Sequence, residues 1–179
     1  MELKDSEVKK IIREAQAGNK EAFAKIYNLF FERIYKYIFF RTKIQEEAED
    51  LTSLVFLKTW QNLFRYKIQD KAKFSTWLFQ IARFTLIDYY RKQKVYLDLE
   101  KTEVSDLSSS IERGAEMFLL KKYLLKLPEK YQTVISLRYL EDLDYKQIAK
   151  ILGKTEVGTR VLLHRALKKL AKLQETYEK

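Results

Sequence analysis

The 179-residue chain has no cysteine and a single histidine, His164. No disulfide framework can form, and a zinc or iron–sulfur site built from Cys and His is excluded. Proline occurs once and glycine four times. With so few breakers, and apolar residues recurring every three or four positions, the chain is predicted to be all-α. Long apolar runs are also missing. The stretch IYNLFFERIYKYIFF is cut by Glu32, Arg33 and Lys36, too short and too charged to span a bilayer. The opening MELKDSEVKK lacks the apolar segment of a secretory leader. No membrane insertion and a cytoplasmic location are therefore expected. With no nucleophile triad, phosphate loop or metal cluster, neither an enzyme nor a cofactor is expected.

Acidic residues are the remaining scarcity. Against 35 Lys and Arg stand 25 Asp and Glu, a net charge of +10. That excess fits a polyanion partner, either nucleic acid or an anionic membrane surface, and equally a soluble protein that is merely basic. Its distribution is informative. Residues 1–97 carry 19 basic and 12 acidic side chains, and residues 113–179 carry 15 and 8. Between them, DLEKTEVSDLSSSIE (98–112) has one basic and five acidic residues and no aromatic. Two basic helical blocks joined by a flexible acidic linker are the expected organisation.

The first block reads as four helices, over about Ser6–Ala17, Lys20–Arg41, Glu46–Phe64 and Ser75–Lys94, with Gly18 stopping the first. The second block begins near Arg113. Its first helix ends before Pro128, which suits the first turn of a helix reaching about Leu140. A short helix over about Tyr145–Leu152 follows, with Asp144 and Gln147 as a capping box.

DYKQIAKIL, Gly153 and KTEVGTRVLLHRALKKL have the spacing of a helix-turn-helix. Gly153 can take the positive φ of the corner. Ile148, Ala149 and Leu152 are expected to face the second helix, whose buried stripe is Leu163, Leu167 and Leu170. Arg160, Val161, His164, Arg165 and Lys168 then lie outward, a basic face that fits the major groove. For Lys168, Lys169 and Lys172 a solvated surface with added phosphate attraction is the simpler reading.

LPEKYQTVISLRYLEDLDYKQIAKILGKTE and LLHRALKKL resemble domain 4 of bacterial extracytoplasmic-function (ECF) sigma factors, of the sigma-70 family. AEDLTSLVFLKTWQNL and FSTWLFQIARFTLIDYYRK resemble domain 2 of the same family. The two motifs, in family order, cover nearly the whole chain. The resemblance implies sigma domain 2 over 1–97, a linker over 98–112 and sigma domain 4 over 113–179. It implies a transcription initiation factor that binds core RNA polymerase at its clamp and flap, recognises promoter DNA at −35 and −10, and melts the −10 element. The resemblance also implies an anti-sigma factor, common in the family, or another recruiting protein as a further partner.

Carried over position by position, the −35 contacts fall on Arg160, Val161, His164 and Arg165, with Lys168 beside them. The polymerase clamp helix falls on 46–61, with Glu49, Asp50, Ser53, Leu54 and Leu57 as contacts. For Glu49 and Asp50, favourable charge near a helix N-terminus is an equal alternative. The −10 contacts fall on Tyr66 and Phe74, flanking the polar loop 65–73, and on Trp77, Arg83, Phe84, Arg91 and Lys92. Phe56, Trp60, Phe79 and Trp77 also suit core positions by their helical spacing. The acidic linker would mimic nucleic acid inside polymerase channels, or serve as a solvated tether.

Three stretches depart from the family pattern. The glycine opening the recognition helix is one position late, so Val157 stands where a small residue is usual and Gly158 enters the first turn. Ser53 and Leu54 replace an amide–acid pair. Phe84 replaces an asparagine and could stack on a base or fill the core. Two alternatives remain open: a sigma-like adaptor recruited to DNA by another protein, and a stand-alone helix-turn-helix regulator.

Overall fold

The computed structural model describes residues 5–42, 44–68, 73–99 and 123–177. Among them every regular element is helical, as the breaker-poor composition predicts. The chain divides into two units, Met1–Tyr89 and Tyr90–Lys179. Most of the expected linker, and the start of the helix expected after Arg113, lie outside the described residues.

The first unit holds α1 (Asp5–Gln16), α2 (Lys20–Thr42), α3 (Gln45–Asn62) and most of α4 (Phe74–Leu99). Gly18 ends α1 at φ 92°, a conformation that costs a residue with a Cβ. Asn19 then opens α2, its Oδ1 accepting from the N–H groups of Glu21 and Ala22. α3 stops two residues earlier than expected, tightening into a 3-10 turn over Leu63–Arg65. α4 outruns its expected end at Lys94 and reaches Leu99, into the segment expected as linker.

The core of this unit lies where α1, α2, α3 and α4 meet. Ile12 and Ala15 of α1 are buried with Ala22, Ile26, Phe30, Ile34 and Ile38 of α2. Ala48, Leu51, Val55 and Phe56 contribute from α3. α4 is fastened by rings. Phe74 lies 5.5 Å from Phe30, and Phe79 meets Tyr37 edge-on at 5.2 Å. Lys58 adds a polar tie from α3, donating to the Thr85 hydroxyl at 3.2 Å and pairing with Asp88 at 3.7 Å.

The second unit contains α5 (Glu129–Ile135), which widens into a π-turn over Ser136–Leu140, then α6 (Tyr145–Leu152) and α7 (Glu156–Tyr177). Pro128 sits at the N-cap of α5, just outside the first turn where it was expected. The π-turn was not legible as a departure from a single helix. It closes with Glu141 N–H donating to Ser136 O and Leu143 N–H to Leu137 O, and Asp142 turns the chain at φ 46°.

The helix-turn-helix corner forms as expected. Asp144 Oδ1 accepts from Gln147 N–H at 2.7 Å, and Gln147 Oε1 accepts from Asp144 N–H at 3.0 Å. Gly153 adopts φ 65° and ψ 38°, and Lys154 N–H donates back to Ala149 O. Truncating the cap (Asp144→Ala) or forcing a Cβ into the left-handed corner (Gly153→Ala) should each cost ~1 kcal/mol of stability, read by calorimetric unfolding.

Candidate nucleic-acid interface

α7 begins at a side-chain cap. Thr155 Oγ1 accepts from Gly158 N–H at 3.0 Å, and the Thr159 hydroxyl donates to Thr155 O at 2.9 Å. Four residues anchor the helix: Thr159, Leu163, Ala166 and Leu170 are buried. The expected stripe needs one correction, because Leu167 is 36% exposed and Ala166 takes its place. The 4-3-4 spacing from Thr159 to Leu170 follows the helical period, and position 167 falls ~100° past position 166. Leu152, expected inside, is half-buried.

Opposite this stripe lie the −35 candidates. Arg160, Val161, His164, Arg165 and Lys168 are all exposed and share an arc of ~140° on α7. Arg160 is not loose: its guanidinium sits 4.6 Å over the Tyr145 ring at the start of α6. Arg138 contacts the same ring at 5.3 Å and donates to Leu143 O at 2.9 Å. An open groove of about 680 Å³ runs beside this face, lined by Val161, Arg165, Lys154 and Lys130 among others. Sequence reasoning missed Lys130 and Lys154. Lys154 follows Gly153 in the corner, and Lys130 is the second residue of α5. For Lys154, a lysine adjoining a tight corner was the available signal.

The shifted glycine has a structural account. Val157 is 71% exposed, so no close packing demands a smaller residue there. A Cβ on Gly158 would stand 3.1 Å from Thr155 Oγ1, crowding the capping hydroxyl.

In the first unit, the −10 candidates separate by environment. Tyr66 and Trp77 are half-buried neighbours, with ring centroids 4.8 Å apart. Phe74 lies under both, 5.2 Å from Tyr66 and 5.5 Å from Trp77, and is 4% exposed. Phe74 is therefore corrected from a direct DNA contact to a support. Its anchor on Phe30 leaves no free ring face. Burial pushes the Tyr66 phenol above its ordinary range, the Asp5 carboxylate adds to the rise and Lys9 opposes it.

Further along α4, Phe84 is 55% exposed, which removes the core-filling alternative, and the Arg83 guanidinium lies 5.4 Å from its ring. Trp77, Phe84 and Arg91 repeat every seven residues and so share an arc of ~40°. Lys92 is exposed and Arg83 half-buried, and they flank this arc on opposite sides, ~80° and ~100° from Phe84 around the helix.

The clamp candidates are exposed together on α3: Glu49, Asp50, Ser53, Leu54 and Leu57. Glu49 accepts from the Gln45 amide at 2.8 Å. Ser53 and Leu57 line an apolar groove of about 440 Å³ with Phe23, Tyr27, Phe56 and Trp60. Trp60, expected in the core, is 36% exposed and meets Phe23 edge-on at 4.8 Å. Phe23 was the other residue missed, because its turn of α2 reads as ordinary core.

The basic solvent face of α7 and the capped corner before it define a helix-turn-helix protein with a second, aromatic-rich helical unit. Residues 26–95 match the family model for Sigma-70 region 2, and residues 117–170 that for Sigma-70, region 4. The ECF RNA polymerase sigma factor SigW of Bacillus subtilis is 33% identical over 181 residues, covering 92% of this chain and 95% of SigW. The ECF RNA polymerase sigma factor BldN of Streptomyces coelicolor is 29% identical over 171 residues and 91% of this chain, which spans only 64% of BldN. The fold is also that of the sigma factor RpoE from Bartonella quintana, solved in complex with the anti-sigma factor NepR. The TM-score is 0.73 at 19% identity, over 86% of this chain and 96% of that one. The chain belongs to the sigma-70 family of RNA polymerase sigma factors, in its ECF class.

Gly158→Ala alone should leave stability unchanged or lower it, since the helix-propensity gain meets the 3.1 Å contact. In a Thr155→Ala background, which removes that oxygen, the same change should stabilise by ~0.5–1 kcal/mol. A double-mutant cycle read by calorimetry checks the non-additivity.

Proposed function

We propose that this protein directs core RNA polymerase to specific promoters, holding the enzyme through α3 and the promoter through α7 and α4. The observation that carries the reading is the rotational phase of α7. With Thr159, Leu163, Ala166 and Leu170 buried, the four family positions for −35 contact, Arg160, Val161, His164 and Arg165, all face solvent, as does Lys168 beside them. Arg160 and Arg165 supply forked donors suited to guanine edges, and His164 and Val161 complete the surface between them. Lys130, Lys154 and Lys168 are placed to meet phosphates, which fix register without reading sequence.

At −10, the Tyr66–Trp77 ring pair offers a surface for a base that leaves the stack, and Phe84 a second one farther along α4. Arg91 and Lys92 carry charge for the displaced strand. On α3, Glu49 and Asp50 present carboxylates to a basic polymerase clamp surface, and Ser53, Leu54 and Leu57 present the apolar part. Domain 4 would hold the flap. An anti-sigma protein is proposed as a further partner, since RpoE of B. quintana was solved bound to one. The adaptor alternative rested on the late glycine. The Thr155 cap on Gly158 N–H accommodates that glycine in the first turn of α7, which supports the sigma reading.

Run-off transcription with core polymerase and a promoter library tests the proposal. Initiation from a defined set of −35/−10 pairs is expected. Tight duplex binding without polymerase would favour the stand-alone regulator, and polymerase binding without initiation the adaptor. Arg165→Ala should weaken use of −35-dependent promoters by roughly 10- to 100-fold, as loss of one bidentate contact implies. Affinity for core polymerase, measured in the same preparation, should not change.

A further inference from the structure

The Gln16 side chain, at the last residue of α1, reaches across the unit to the far end of α3. Its amide nitrogen donates to two backbone carbonyls, Leu63 O at 2.9 Å and Tyr66 O at 2.7 Å. Both partners are acceptors, so only a group with two donor hydrogens can satisfy them together. The Leu63 carbonyl also accepts from Tyr66 N–H at 3.0 Å, closing the 3-10 turn. Gln16 thus fixes the carbonyl of the first residue of this turn and the carbonyl of the residue that leaves it. Tyr66 departs in an extended conformation, φ −68° and ψ 118°, with its ring directed onto Trp77 and Phe74. Lys67 and Ile68, which follow Tyr66, belong to no regular hydrogen-bonded element. The Gln16 bonds, together with the Tyr66 N–H bond to Leu63 O and the ring contacts to Trp77 and Phe74, set where the Tyr66 ring stands.

We propose that Gln16 is a positioning residue for −10 base capture: it holds the Tyr66–Trp77 ring wall ready for a base that has left the stack. The inference rests on the promoter-opening reading above and adds to it a residue that touches neither DNA nor polymerase. α1 contributes by pinning a backbone rather than through its surface.

The donor requirement supplies the test. Gln16→Met keeps the length and loses both donors. Gln16→Glu sets a carboxylate against two carbonyl oxygens. Gln16→Lys retains donors at similar reach. Each variant is assembled with core polymerase, and the affinity of assembly is measured first. Binding of a single-stranded −10 oligonucleotide is then compared with binding of the same oligonucleotide made abasic, one position at a time.

About tenfold weaker binding of the intact oligonucleotide is expected for Gln16→Met, more for Gln16→Glu, with substantial recovery in Gln16→Lys. Polymerase affinity should stay level. The loss should vanish on the oligonucleotide that lacks the captured base, because a ring wall has nothing to grip there. A loss that persists on every abasic oligonucleotide, or that Gln16→Lys fails to reverse, overturns the inference and reduces Gln16 to a general stabiliser. Equal binding by all four proteins also overturns it. A wild-type holoenzyme that binds no −10 strand and opens no promoter overturns instead the promoter reading on which the inference stands.

Discussion

Helix phase governs this protein. A helix rotated by one residue turns each side chain by ~100°, enough to exchange a buried position for an exposed one. In α7 the phase is locked by Thr159, Leu163, Ala166 and Leu170. In α3 it is locked by Ala48, Leu51, Thr52, Val55, Phe56 and Thr59. The residues proposed to meet DNA or polymerase are those these stripes leave outside. The sites are therefore complements of the core, and a change that rotated a helix would remove a site without touching any residue in it.

The stripes include several small hydroxyl residues, and each would carry an unmet polar group into the core if left alone. Here each is closed onto its own helix. Thr52 donates to Ala48 O at 2.6 Å, Thr59 to Val55 O at 2.7 Å, Ser136 to Gln132 O at 2.9 Å and Thr159 to Thr155 O at 2.9 Å. Arg41 is treated similarly: its guanidinium lies 3.9 Å over the Tyr37 ring and donates to Tyr37 O at 2.7 Å. These four hydroxyls thus enter the interior with a hydrogen bond each, and the large rings are left to fasten α4 from the side.

Much of this was legible. The helices of the described residues, the Gly18 and Gly153 corners and the Asp144–Gln147 box follow from local rules that tertiary context did not override. The solvent face of α7 followed from periodicity alone. Periodicity failed where two residues competed for one stripe. Leu167 is the more apolar, yet Ala166 sits nearer the mean direction of Thr159, Leu163 and Leu170. Aromatic positions failed for another reason. Phe74 and Trp60 have the same hydrophobic weight and similar spacing, but Phe74 meets Phe30 and is covered, while Trp60 meets Phe23 at the rim of a groove. Which ring ends inside depends on a partner helix far away in sequence. The Gln16 bonds were illegible for the same reason, since they join residues 47 and 50 positions apart.

Energetics explains why such a site would work only with a larger machine. Unstacking and unpairing a base costs a few kcal/mol. Stacking it on a protein ring returns roughly 1–3 kcal/mol. The Tyr66–Trp77 pair, even when well positioned, comes close to balancing the first base and leaves nothing for its neighbours. The basic face of α7 adds affinity for duplex, but bound equally to closed and open promoter it shifts nothing between them. The remaining drive must come from whatever grips the separated strands more strongly than the duplex. In the proposed assembly that is the polymerase, held through α3. This division of labour fits a chain whose candidate DNA surfaces are built from a few half-exposed rings and scattered cations. Such surfaces select where opening starts, and the energy to complete it has to be supplied by the partner.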